Sequence, residues 1–384
     1  VGIKVFNVIL FSSSLLLLIK IGKKLAVNGA LAGLMLLACP MLAPHVLSGL
    51  TEPLFAFFLL LALYLSFDRK WISSAIVLSF LPFIRSEGWI IILAFLPFFI
   101  HQKQFKPILF LTLGTFIYSI AGFTTHHDLL WVFTKTPYIN QGDNYGSGNY
   151  FHFANQLFYW CGPPVCALFI LGLINLLSRW QSLSWKWALI LGLFFAFFGA
   201  HSFFWGSGLF HSMGLARVLI CILPLLALVA SSAFVALKRL TSRKLYVGLT
   251  SLIITLMLAF PSLSRKRLTK YTESFQLHPS QLLINRAMDE IDSRNDLGIS
   301  ILHCSAPWAK YRWQEIKGFN TSPSISAWKE AEVELILWDG YFSPLEEGIT
   351  QNQLREYGFT RIWEASNKSN ERNVVSLWVQ ATER

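Results

Sequence analysis

Acidic residues are nearly missing from the first two-thirds of this chain. Residues 1–264 hold only five, Glu52, Asp68, Glu87, Asp128 and Asp143, while residues 265–384 hold the other sixteen. Charged residues make up 14% of the whole, against about 25% in an ordinary soluble domain. The shortage argues against a water-soluble fold for residues 1–264 and for one embedded in lipid. Cysteine is sparse as well. Cys39, Cys161, Cys166 and Cys221 lie in apolar runs, and Cys304 lies in an expected strand. Neither a metal-ligand spacing nor a disulfide framework relates them, so they read as small buried hydrophobes. A glycine-rich phosphate loop is also missing from residues 265–384, which argues against a nucleotide site there.

Basic residues are plentiful, and the net charge is +11. Their placement, not their number, carries the information. Thirteen occupy short connections between apolar runs: Lys20, Lys23, Lys24, Arg69, Lys70, Lys103, Lys106, Arg179, Lys186, Lys238, Arg239, Arg243 and Lys244. That is the footprint of cytoplasmic loops. Residues 265–384 are close to neutral, with fifteen basic and sixteen acidic residues. No nucleic-acid partner is expected.

Long apolar runs fill the rest of the first part. With about 20 apolar residues needed per crossing, they predict about ten spans. These lie near 4–20, 27–47, 51–67, 71–85, 88–101, 107–124, 155–177, 186–206, 215–237 and 245–263. The fourth and fifth are short, and Pro82 interrupts the fourth. Basic connections at 20–26, 67–71, 102–106, 178–186 and 238–244 alternate with connections almost free of Lys and Arg. The first set is placed in the cytoplasm. The segments 48–52, 85–88, 125–153 and 207–216 then face outward, and so does everything after 264. Arg265, Lys266 and Arg267 run against that last placement, but long translocated domains obey the charge rule weakly. The same alternation puts the start of the first span outside and calls for a further span before Val1.

Residues 265–384 read as a soluble α/β domain. An amphipathic helix is expected over 279–293, buried strands over 299–304 and 333–338, a helix over 350–357 ending at Gly358, and a closing strand over 374–379. The expected fold is therefore an α-helical polytopic membrane protein over residues 1–264, with a C-terminal soluble α/β domain over 265–384.

The few ionisable groups of the first part are the candidate site. Glu52, Glu87, Asp128 and Asp143 all fall on the expected outer face, with Arg85 and Arg217 at span ends. Charge at a membrane edge is costly unless it is paired or functional. Within Arg85-Ser86-Glu87-Gly88, the guanidinium fork suits a phosphate, and Glu87 suits either Arg85 or a sugar hydroxyl. An ion pair that simply closes a hairpin fits the same residues. The long outer segment 125–153 carries His126, His127, Asp128, Tyr138, Asn144, Tyr145 and His152. Its aromatics and amides suit a carbohydrate. His126-His127-Asp128 would also suit a divalent ion, although adjacent histidines do not share a helix face. No cofactor is otherwise expected. Further along, HSFFWGSGLFHSMGLAR places His201, His211 and Arg217 at the outer edge, where a cationic Arg217 suits a lipid phosphate. An interfacial anchor is the plainer reading of that residue.

Four short pieces, in this order, carry a resemblance. They are Ser48-Gly49-Leu50-Thr51-Glu52-Pro53-Leu54-Phe55, Arg85-Ser86-Glu87-Gly88, Tyr145-Gly146-Ser147-Gly148 followed by His152, and Gly214-Leu215-Ala216-Arg217. On them, residues 1–264 resemble the GT-C class of membrane glycosyltransferases. The nearest likeness is to the bacterial members of the family that includes protein O-mannosyltransferases and aminoarabinose transferases. The resemblance implies a sugar donor linked to a polyprenyl phosphate and a glycan, lipid or protein acceptor. It implies transfer on the extracytoplasmic face of a bacterial inner membrane. It implies Arg85 and Arg217 at the lipid phosphate, Glu52 and Glu87 at the sugar or at those arginines, and Tyr145 and His152 in the pocket wall. The family's catalytic base is an acid in its first outer loop. The first span here resembles the family's second, so that acid is expected upstream of Val1. A lipid-linked glycan ligase or polymerase, and a secondary transporter, are the competing readings. Against a transporter stand the lack of an internal repeat and ionisable groups at an edge instead of the midplane.

Overall fold

The computed structural model describes residues 2–40, 42–134, 146–210, 212–264, 277, 279–293, 302–317, 335–367 and 373–380. It is mostly helical and divides into two compact units, Val1–Thr272 and Glu273–Arg384.

Among the described residues, six helical runs of the first unit, some of them interrupted by a turn or kink, are long and apolar enough to cross a membrane. They are Gly2–Leu25, Lys106–His126, His152–Leu177, Trp185–Ser207, Leu223–Leu240 and Arg243–Phe260. Their outward faces are apolar too. Leu109 is 75% exposed and Phe116 63%. Side chains of that kind are at home against lipid and form an aggregation surface in water. Leu223–Leu240 is the most enclosed of the six, and its residues from Leu223 to Phe234 are all buried. It packs on His152–Leu177 with almost no space between the backbones. A Cβ on Gly172 would lie 2.1 Å from the Val229 carbonyl oxygen. The Ser232 hydroxyl, 3.0 Å from the Gly172 oxygen, donates across the same contact. Small residues and interhelical hydrogen bonds are the usual means of holding helices together in lipid.

Several expected spans are broken where proline or turn chemistry overrides hydropathy. The run 27–47 forms two helices, Gly29–Leu37 and Leu42–Val46, which part at Ala38-Cys39-Pro40. The run 71–85 divides into Trp71–Ser79 and Leu81–Ile84, with Pro82 in the first turn of the second piece. Within 107–124 a turn separates Lys106–Phe110 from Leu113–His126. The run 215–237 opens as a 3₁₀ segment, Ala216–Cys221, before Leu223–Leu240. His152–Leu177 is itself broken. Gly162 has φ 75° and ψ 154°, and Pro163 and Pro164 follow it. The Cys166 thiol reaches back over the break to the Leu157 carbonyl at 3.6 Å.

The second unit holds a four-stranded sheet with the order β1-β2-β4-β3. The strands are β1 (Leu302–Cys304), β2 (Leu335–Asp339), β3 (Phe359–Ser366) and β4 (Val374–Gln380). β1 and β2 run parallel; β4 is antiparallel to both β2 and β3. The helices Pro279–Ser293 and Pro307–Lys317 bury Leu283, Met288, Ile291 and Trp313 against Leu302, Leu335, Leu337 and Leu377. A smaller cluster, Ile336, Ile349, Leu354, Phe359 and Trp378, forms separately. The helix Gln351–Glu356 starts at a capping box made by Thr350 and Gln353. The outer residues of the expected strands, 299–301 and 333–334, lie outside the described residues. The helix Pro307–Lys317 and strand β3 are additions to the sequence reading. Only the first residue of β3 is buried, so its sequence carries little of the apolar alternation that marks a strand.

Candidate functional site

Four charged residues from distant parts of the first unit meet in one place. Glu52 is the first residue of the helix Glu52–Phe67, with Pro53 in its opening turn. Just before it, the buried Asn7 side chain of the first helix donates to the Leu50 carbonyl at 2.9 Å and fixes the approach of the chain. Arg85 closes the short helix Leu81–Ile84 in an extended conformation, φ −155° and ψ 139°, which turns its side chain out of the helical path. Glu87 stands immediately before Gly88–His101, without a side-chain capping bond, and Arg217 lies in the 3₁₀ segment Ala216–Cys221.

Arg85 forks between the two acids. Its Nη1 donates to Glu52 Oε1 and its Nη2 to Glu87 Oε1, each at 2.7 Å. The Arg217 Nε stands 3.4 Å from the same Glu52 oxygen, within ion-pair distance but outside hydrogen-bond geometry. The Glu52 side chain is 0% exposed, Arg85 and Glu87 are each 16% exposed and Arg217 38%. His201, on Trp185–Ser207, is buried against Phe197 and Phe153 and lies within electrostatic range of Glu87 and Arg85.

The set is formally balanced, two carboxylates against two guanidinium groups, yet its bonding is incomplete. Glu52 Oε2, Arg85 Nε, Arg217 Nε and His201 Nε2 are buried and make no hydrogen bond. A buried polar atom left without a partner costs about 1–3 kcal/mol. An acceptor oxygen beside two guanidinium N–H donors invites a ligand of mixed character. A hydroxyl would satisfy Glu52, and an anionic oxygen would satisfy the arginines.

The segment leading to His152 is tied to the chain before Arg217. His152 Nε2 is 2.7 Å from the Gly214 carbonyl, and the Gly148 N–H donates to the Trp205 carbonyl at 3.0 Å. Tyr150 and Ser207 bond through their hydroxyls at 3.2 Å. The Trp205 indole fills the space that side chains on Gly148 and Gly214 would need. A Cβ on Gly148 would fall 2.0 Å from the indole nitrogen, and one on Gly214 2.7 Å from the ring. That indole N–H is buried without a partner.

Of the sequence-expected residues, Glu52, Arg85, Glu87 and Arg217 are joined directly and His201 is within their field. His152 belongs to the neighbouring Trp205–Gly214 group. His126, His127 and Asp128 form a turn of their own. His126 stacks on Trp131 at 4.4 Å, His127 ends its helix at φ 51°, and Asp128 accepts from the Leu130 N–H and the Thr134 hydroxyl at 2.8 and 2.6 Å. Among the described residues no group of three or more His, Cys, Asp or Glu is placed to hold a metal ion. Tyr138, Asn144, Tyr145 and His211 lie outside the described residues. Two residues near the site escaped the sequence reading. Trp205 offers no charge to notice, although it sits inside the Gly-rich stretch. Cys221 is a buried neutral thiol near Arg85, and its sequence signal is only that it follows Arg217 by four positions.

Comparison with family models, curated proteins and solved structures finds no match to this chain.

Proposed function

We propose that this chain is a membrane glycosyltransferase of GT-C type. It takes a sugar from a polyprenyl-phosphate donor and passes it to a lipid, glycan or protein acceptor on the extracytoplasmic face of a bacterial inner membrane. The reading includes the ten-span topology, with residues 265–384 as an extracytoplasmic α/β accessory domain. One observation carries it. The pieces of sequence that hold Glu52, Arg85, Glu87 and Arg217, far apart in the chain, meet in a buried cluster with open bonding positions.

The chemistry follows from those positions. In the transfer, the bond from the sugar C1 to the phosphate oxygen breaks and its electron pair stays on the phosphate. A new bond forms from C1 to the acceptor oxygen, whose proton passes to a base. The leaving phosphate gains negative charge, and fixed cations in a water-poor site stabilise it. Arg217 and Arg85 take that part. Glu52 and Glu87 hold Arg85 in place, and Glu52 Oε2 receives a sugar hydroxyl. His152 and Trp205 build the adjoining wall, where an indole suits a sugar face.

The test uses the full-length protein in native membranes, a polyprenyl-phosphate sugar and a range of acceptors. Release of polyprenyl phosphate is expected from the wild type. Each hydrogen bond to a charged group contributes about 1.5–3 kcal/mol, so Arg85→Ala and Arg217→Ala should each lower the rate roughly 10- to 150-fold. Wild-type rates in both variants would remove the phosphate assignment. Movement of intact donor across sealed vesicles without release of polyprenyl phosphate would make the protein a transporter.

A further inference from the structure

The other end of the helix Glu52–Phe67 carries a second site of different character. A cavity of about 690 Å³ opens between the turns 68–70 and 102–105. Four cations line it, Arg69, Lys70, Lys103 and Lys106, and no carboxylate does. The nearest acid in sequence, Asp68, is ion-paired to Lys24 and acts on Lys70 only through its field. None of the four cations has an ion-pair partner among the described residues.

The two turns are built alike. After Glu52–Phe67, the Arg69 N–H bonds the Ser66 carbonyl and the Lys70 N–H the Leu65 carbonyl, both at 2.9 Å. After Gly88–His101, the Lys103 N–H bonds the Ile100 carbonyl at 2.9 Å and the Gln104 N–H the Phe99 carbonyl at 2.8 Å. This is the helix-ending motif in which glycine usually takes the left-handed position. Here Arg69 takes it at φ 59° and Lys103 at φ 55°. Cations near helix C-termini complement the dipole, and that alone accounts for a pair of them. The charge rule for cytoplasmic connections accounts for the side of the membrane they lie on, but not for their convergence on one cavity, where an anion between them would relieve the repulsion that water only screens.

The walls indicate what kind of anion. Trp71 lines the cavity and is held between Phe98, Phe99 and Trp185, with ring centroids 5.7, 6.5 and 6.0 Å away. Phe105 also lines it and is 63% exposed. Ile72 is 41% exposed, and Leu109, one helical turn beyond Phe105, is 75% exposed. A free phosphate uses the cations and leaves this apolar rim bare. A phospholipid uses both, with its phosphate among the cations and its acyl chains along the rim.

We propose that this cavity binds the headgroup of an anionic phospholipid, separately from the glycosyl-transfer site. The shared chemistry is a phosphate ester, and the source is the bilayer leaflet at the basic ends of the helices. The purified full-length protein, delipidated in neutral detergent, is titrated with phosphatidylglycerol or phosphatidylcholine and read by native mass spectrometry. The wild type should prefer phosphatidylglycerol by about tenfold or more, as expected for several surface cations acting together. Arg69→Gln/Lys103→Gln should lose that preference. Lys238→Gln/Arg239→Gln, in another basic connection, should keep it. Thermal midpoints matching the wild type establish that both variants are folded. If Arg69→Gln/Lys103→Gln fails that check, Lys70→Gln/Lys106→Gln takes its place. Retention of the preference by the folded cavity variant, or no preference in the wild type, overturns the proposal. Displacement of bound lipid by millimolar inorganic phosphate overturns the lipid assignment and makes the ligand a soluble phosphate. The readout is independent of glycosyl transfer, so either reading can fail alone.

Discussion

Glu52 and Asp339 are both buried carboxylates, one in each unit, and their surroundings use them in opposite ways. Asp339, at the end of β2, is fully engaged. Its Oδ1 accepts from the backbone N–H groups of Tyr341 and Phe342 at 3.0 and 2.6 Å, and its Oδ2 from the Ser343 hydroxyl at 3.3 Å. Burial pushes its pKa up, and those same hydrogen bonds pull against the shift. All the bonding is local, within four residues. It closes the turn that leads into the helix Phe342–Glu346. Glu52 is engaged on one oxygen only, by residues 33 and 165 positions away, and its second oxygen meets no donor. A saturated buried acid is architecture. A buried acid that gathers distant cations and still has an open oxygen marks a place for a ligand.

The largest effect expected from this contrast is on Glu52. Glu52→Ala leaves the mostly buried Arg85 with one acid in place of two and takes away the ion-pair partner of the 38%-exposed Arg217, and breaking a buried pair costs up to about 3–5 kcal/mol. A loss of unfolding free energy of that size, with loss of binding of the proposed polyprenyl-phosphate donor, is the expected result in detergent-solubilised protein. Asp339→Ala should cost less, roughly 1–3 kcal/mol for the turn it closes, and should leave donor binding intact. If Asp339→Ala abolished donor binding while Glu52→Ala spared it, the contrast would be inverted. The smallest effect concerns Cys304, which sits in β1 and is 1% exposed. Burial pushes its thiol up to about 12. A raised thiol value means that the stability tied to the neutral form is fully present below about pH 8.5. It is then lost as pH rises through about 12. Alkylation by iodoacetamide near neutral pH should therefore be negligible until the second unit unfolds. Rapid labelling of the native protein would show a thiol more open than its burial.

The legible part of this molecule was legible for a physical reason. Acids are so rare in residues 1–264 that each one has to be explained, and Glu52, Arg85, Glu87 and Arg217 could be picked out before any geometry. Hydropathy located the long apolar helices, because a twenty-residue run needs no fine detail to be noticed. The breaks at 38–40 and 111–112, and the 3₁₀ start at Ala216, depend on local turns and packing, which hydropathy averages away. Trp205 was hidden by its chemistry. One more aromatic in a chain that is 15% aromatic carries no signal until Gly148 and Gly214 are seen to make room for it. His126-His127-Asp128 stood out by composition, yet Asp128 makes the hydrogen bonds of a turn. The left-handed Arg69 and Lys103 read as ordinary loop cations until their matched turns are laid side by side.

The break at Gly162 bears on how the protein tolerates the membrane around it. Straight, the 26 residues of His152–Leu177 would reach about 39 Å at 1.5 Å per residue, against a hydrocarbon core of about 30 Å. A rigid rod of that length must tilt as a whole when the bilayer thins or thickens. A helix jointed at Gly162-Pro163-Pro164 can change its bend instead. The end that carries His152 is bonded to Gly214. The bend is thus the place where hydrophobic mismatch would be taken up, well along the helix from the His152–Gly214 bond.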